Sequence, residues 1–180
     1  MADLTSVGQR VTNYTILTIA VTCSFLEVYT FDFYPKESYD KTMDSFKLFA
    51  PGLLFSYFIV FLQKSNLPTV KLILFFCVLE ILYYASLVTG LSSWGVGVPF
   101  AGGIGALLIR KLFYQKAKLF DSMGIKYLLV GFISALAGLV FYYFLQDVWT
   151  NGVGFGLILI TWQLAFGLLW IRQVERDSII

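Results

Sequence analysis

The chain has 180 residues, of which 58% are hydrophobic and only 13% charged, with a net charge of +2. A soluble domain ordinarily carries about 25% charged residues. The mean hydropathy of +0.78 leaves more apolar surface than a water-soluble core can hide, which excludes disorder, coiled coil, collagen and the ordinary globular classes. What remains is an all-α, polytopic integral membrane helical bundle, read as a single transmembrane domain over residues 1–180.

A helix needs ~20 apolar residues to cross a hydrocarbon core of ~30 Å. Six segments meet that need, with five as the alternative because the second and fourth are the least regular. The first is Asn13–Tyr34, apolar apart from Glu27 and Asp32. It is too long, and too interrupted by Glu27, for a cleaved leader, and is read as a permanent span. The second is Phe46–Leu62, with Pro51 assigned to its first turn, where a missing N–H costs nothing. The third, Thr69–Thr89, follows Pro68 and contains Glu80. The run Thr89-Gly90-Leu91-Ser92-Ser93 separates it from the fourth, Ser93–Phe113. The fifth is Lys126–Gln146, and Asn151-Gly152 opens the sixth, Asn151–Val174.

Lysine and arginine set the orientation. With six spans and the N-terminus inside, ten of the 13 bases fall inside: Arg10, Lys64, Lys71, Arg110, Lys111, Lys116, Lys118, Lys126, Arg172 and Arg176. Only Lys36, Lys41 and Lys47 fall outside. Both termini are therefore expected in the cytoplasm, in a bacterial inner membrane or an equivalent plasma membrane. Aromatic residues near the span ends, such as Tyr83, Tyr84, Tyr142, Tyr143 and Trp149, fit an interfacial belt.

The chemistry available is narrow. Histidine is absent, which excludes Ser/His and Cys/His triads and histidine-ligated haem or zinc built from this chain. No metal or cofactor is expected, and the scattered charge excludes nucleic acid as a partner. Glu27 and Glu80 are the two acids inside spans, and an ionisable group at such depth normally faces the bundle interior or a hydrated cavity. Gln163, near the middle of the sixth span, also needs a partner. Glycine-rich faces on the fourth and fifth spans (Ala101/Gly105, Gly102/Ala106, Gly131/Ala135, Ser134/Gly138) permit close packing within the chain, to partner membrane subunits or to a second copy.

Two functions compete. One is a transport or channel-like protein moving a small solute or cation, with Glu80 central and Glu27 and Gln163 assisting at the binding site. The alternative is a non-catalytic membrane subunit that scaffolds or anchors a larger complex. An intramembrane enzyme would have to act with carboxylates, tyrosines or cysteines alone.

Overall fold

The computed structural model describes residues 2–31, 41–63, 67–92, 96–145 and 151–177, with side chains described for 8–26, 52–63, 67–86, 88–89, 96–144 and 156–177. The described residues form helices α1 (Ala2–Phe31), α2 (Lys41–Leu62), α3 (Thr69–Ser92), α4 (Gly97–Phe113), α5 (Ser122–Leu145) and α6 (Asn151–Asp177), and no strand.

The helices outrun the apolar segments, because hydropathy marks the part of a helix suited to lipid and not the part that is hydrogen-bonded. α2 begins at Lys41, so Pro51 lies in its interior and not in its first turn. Such a proline is tolerated where neighbouring helices and local adjustments satisfy the freed carbonyl. α3 continues through Gly90 to Ser92. α5 begins four residues before Lys126, because the Asp121 carboxylate accepts the Gly124 N–H at 2.6 Å and caps the helix there.

Among the described residues, three helices are long and apolar enough to cross a membrane: Thr69–Ser86, Ser122–Phe144 and Gly156–Asp177. α2 adds a shorter apolar stretch, Gly52–Leu62. The outward faces are also apolar. Val70 is 78% exposed and Ile81 67% on α3, while Leu129, Ile133, Val140 and Phe144 are exposed along α5. A soluble monomer rarely shows contiguous apolar patches beyond a few hundred Å2. These faces are compatible with a membrane location.

The helices pack in chain order around a closed ring, each against the next and α6 back against α1, with α2 also touching α6 across the interior. Consecutive helices run antiparallel. Arg10 at the start of α1 pairs with Glu175 at the end of α6 (3.6 Å). Gln63, just after α2, donates to the Tyr114 hydroxyl just after α4 (3.4 Å). One end of the bundle therefore collects the start of α1, the end of α2, the α4–α5 connection and the end of α6.

The glycine faces of α4 and α5 are used within the chain. A Cβ at Gly102 would stand 2.7 Å from the Ala135 Cβ and 2.8 Å from the Gly131 carbonyl oxygen. Bulkier residues there would force the two helices apart. The interior is filled by a column on α6, where Trp162, Phe166 and Trp170 recur every fourth residue. Trp162 and Phe166 stack at 5.3 Å, Phe166 and Trp170 at 5.7 Å. Phe55 and Phe58 of α2 and Tyr127 of α5 close on this column.

Hydroxyls within the helices are satisfied locally. Thr15, Ser24, Ser134 and Thr161 each donate to the carbonyl four residues earlier. That is the least costly arrangement where water is scarce.

Candidate functional site

A pocket of about 90 Å3, partly open to the surface, is bounded by α2, α3, α4, α5 and α6. A water needs roughly 10–15 Å3 of such space, and an apolar cavity of ~150 Å3 accepts benzene. This one therefore suits a few waters or a solute of a few heavy atoms. Its wall is mainly apolar, with Phe55, Ile59, Leu79, Leu82 and Ile158, and gains polarity from Ser56, Tyr83, Ser86 and Trp162. The Trp162 indole N–H donates to the Gly102 carbonyl at 3.0 Å, which pins α6 to α4 beside the cavity.

Glu80 stands in the Thr69–Ser86 stretch of α3. Both of its carboxyl oxygens are shielded from solvent and lack a hydrogen-bond partner. The Ser56 side chain of α2 approaches the carboxyl closely enough to influence it, but short of hydrogen-bond geometry. Ser56 itself lines the pocket, so one serine neighbours both the carboxyl and that space. A charged carboxylate here would be costly, whereas a protonated carboxyl or one facing a cation is tolerated.

Gln163 is fully buried on α6. Neither Glu80 nor Gln163 is among the residues lining the cavity, where α6 is represented by Ile158, Leu159 and Trp162. Glu27 belongs to α1, and its side chain lies outside the described residues. Glu80 and the cavity are thus adjacent through Ser56, while Gln163 is set one residue around α6 from Trp162. Ser56 escaped the sequence reading, although it is the lone serine between Phe46 and Leu62. No group of three or more Cys, Asp or Glu side chains suited to a metal occurs among the described residues. Cys23 and Cys77 are both free thiols.

A second polar cluster occupies the end shared by Arg10, Gln63, Tyr114 and Asp177. Arg110, counted above among the inner bases, is 3% exposed. Its Nη2 contacts Asp121 Oδ2 at 2.7 Å and its Nη1 donates to the Lys118 carbonyl at 3.3 Å. Lys111 Nζ donates to the Gln115 and Ala117 carbonyls, both at 2.7 Å. Two cations therefore fold the α4–α5 connection onto the helix ends. The Gly124 N–H and then the Arg110 guanidinium hold the Asp121 carboxyl below the usual carboxylate range. Burial and the nearby Asp177 push the Tyr114 hydroxyl up.

Compared with known protein families, with curated proteins and with solved structures, the chain matches none.

Proposed function

We propose that this protein is a small integral membrane protein that moves a small solute or ion through the interior of its helical ring, with Glu80 as the essential intramembrane carboxyl. The observation that carries this reading is the unpartnered Glu80 carboxyl beside cavity-lining Ser56. An intramembrane acid costs ~2.5–3.5 kcal/mol on insertion scales, and what faces this one is a serine side chain of α2 that falls short of strict hydrogen-bond geometry. A proton or a small cation relieves that cost. Glu27 and the buried amide of Gln163 serve as auxiliary polar groups in this reading.

All six helices are spans in this proposal. The antiparallel ring supports it, because the start of α1, the end of α2, the α4–α5 connection and the end of α6 share one end. That end carries Arg10, Lys71, Arg110, Lys111, Lys116, Lys118, Lys126, Arg172 and Arg176. The positive-inside bias makes it the cytoplasmic end of a bacterial inner membrane or equivalent plasma membrane. The side chains of Lys36, Lys41, Lys47 and Lys64 lie outside the described residues.

The test is flux through proteoliposomes loaded with a pH-sensitive dye, driven in turn by proton, sodium and potassium gradients. Wild-type protein is expected to carry one of these above the level of empty vesicles, and Glu80→Gln to abolish it. Unchanged flux in Glu80→Gln removes the carboxyl from the mechanism. A second reading, a non-catalytic subunit anchoring a larger assembly, draws on the exposed Lys116, Lys118 and Phe120 of the α4–α5 connection, Phe120 being 65% exposed. Absence of flux together with co-purification of a defined partner in mild detergent favours that reading.

A further inference from the structure

Where the α4–α5 connection meets α6, three buried donors have no acceptor. Arg110 Nε, the Tyr127 hydroxyl and Trp170 Nε1 are shielded from solvent and unpartnered, and the three residues are 3%, 0% and 0% exposed. They belong to one neighbourhood. A Cβ at Gly124 would stand 3.2 Å from Arg110 Nη1, and Tyr127 lies one helical turn further along α5. The Tyr127 hydroxyl is within electrostatic reach of Arg110, Tyr114 and Asp177. The Tyr127 and Trp170 rings are 6.1 Å apart and nearly perpendicular.

The acceptors nearby are already engaged or too few. Asp121 gives one oxygen to Arg110 and the other to the Gly124 N–H. Asp177 contacts Arg176 at 3.8 Å and Glu175 contacts Arg10 at 3.6 Å. Gln173 Oε1, one turn beyond Trp170, is the one unpartnered amide oxygen there among the described residues. Meanwhile Lys116, Lys118, Lys126 and Arg172 have no carboxylate partner among the described residues. Three buried donors and one unpartnered neutral acceptor in this neighbourhood, under a surplus of positive charge, suit an anion with several oxygen lone pairs.

We propose that this end of the bundle is a binding site for a phosphate-class oxyanion, held by Arg110 Nε–H, the Tyr127 O–H and Trp170 Nε1–H. A phospholipid headgroup and free phosphate share this chemistry. Unlike the transport reading, the site involves neither Glu80 nor the cavity, so each stands or falls alone.

The test is thermal unfolding of the full chain in a phosphate-free maltoside detergent. One arm titrates dioleoyl phosphatidylglycerol, another sodium phosphate, and sodium chloride at equal ionic strength is the control. Wild-type protein is expected to gain thermal stability with at least one of the two phosphates and not with chloride. A response to the lipid alone identifies a headgroup site, and a response to sodium phosphate, with or without one to the lipid, identifies a free-anion site. Tyr127→Phe removes only a hydroxyl, and Trp170→Phe removes only the indole N–H and some bulk. Each is expected to weaken half-saturation about tenfold, the loss of one hydrogen bond to a charged group. The proposal is overturned if neither phosphate acts differently from chloride, or if both variants respond as the wild type does. Should one variant fail to fold, the other, together with bound phosphorus counted by native mass spectrometry, decides between the same outcomes.

Discussion

Gly102→Ala tests whether the ring depends on backbone contact between α4 and α5. The added Cβ would stand 2.7 Å from the Ala135 Cβ, 2.8 Å from the Gly131 carbonyl oxygen and 3.1 Å from Trp162 Cδ1, where ordinary contact begins at 3.4 Å. Two of these neighbours cannot yield locally, since one is backbone and the other is a methyl fixed to it. α4 and α5 must separate, and the 3.0 Å bond from the Trp162 indole to Gly102 must stretch with them. Overpacking of this kind costs ~1–3 kcal/mol, or about 2–12 °C in Tm for a chain of this size. The assay is thermal unfolding in detergent followed by tryptophan emission. Gly8→Ala is the control of opposite sign: nothing lies within 4 Å of a Cβ there, so it gains helix propensity of up to ~1 kcal/mol. Ala135→Gly in the Gly102→Ala background removes the nearest clash and recovers part of the loss. A Gly102→Ala protein as stable as the wild type would refute close backbone contact between α4 and α5.

Three further outcomes follow from named contacts. Asp121→Asn removes the ionic partner of buried Arg110 and weakens the cap of α5. Because Asp121 is one-third exposed, the loss falls between the ~1 kcal/mol of a surface pair and the ~3–5 kcal/mol of a buried one, read as the shift in unfolding midpoint. The Asp121 carboxyl is held below its usual range. Its stabilising contribution is therefore complete above the unfolded value of ~3.9 and is lost as pH falls through the lower folded value; a pH series of unfolding midpoints should lose that acid-side slope in Asp121→Asn. Trp170→Ala, at a fully buried position, costs ~3–5 kcal/mol, whereas Phe144→Ala, at a site 80% exposed, leaves the midpoint in detergent unchanged. Cys77 is exposed midway along Thr69–Ser86. If α3 crosses the bilayer, a charged maleimide should fail to label Cys77 in intact vesicles and label it after denaturation; rapid labelling in vesicles would count against that span.

The helices were legible because long apolar runs between polar punctuation suit hydrogen-bonded helices, and three of the described ones are long and apolar enough to cross a membrane. Their ends were less legible. Asp121 carries a local capping signal, yet Lys126 draws the eye as the first charged boundary of an apolar run. The small-residue pairs were legible as a close-packing motif, but not their partner. Gly102 meets Gly131 and Ala135 because α4 and α5 are consecutive and antiparallel, and only the ring shows that these faces are spent within the chain.

The polar sites divide along the same line. Depth in a span is a one-dimensional property, so Glu80 and Gln163 could be singled out from sequence. Adjacency is three-dimensional: Ser56 meets Glu80 because of how α2 is rotated about its own axis, and no spacing within α3 reports that. Arg110 shows the converse limit: a base near a span end counts toward topology whether it is exposed or buried, so the count does not report its burial. The aromatic residues at 162, 166 and 170 carry a helical period that an interfacial belt does not require, and that period is the signal for an interior column. Eight residues at 1.5 Å each separate Trp162, beside the cavity, from Trp170, beside the basic end, by about 12 Å. Conservative changes at the two tryptophans therefore separate the two sites. Trp162→Phe breaks the bond to Gly102 next to the cavity and should alter flux without altering the phosphate response. Trp170→Phe should do the reverse. If both changes impair both readouts equally, the column is a single packing unit, and neither tryptophan reports on a site.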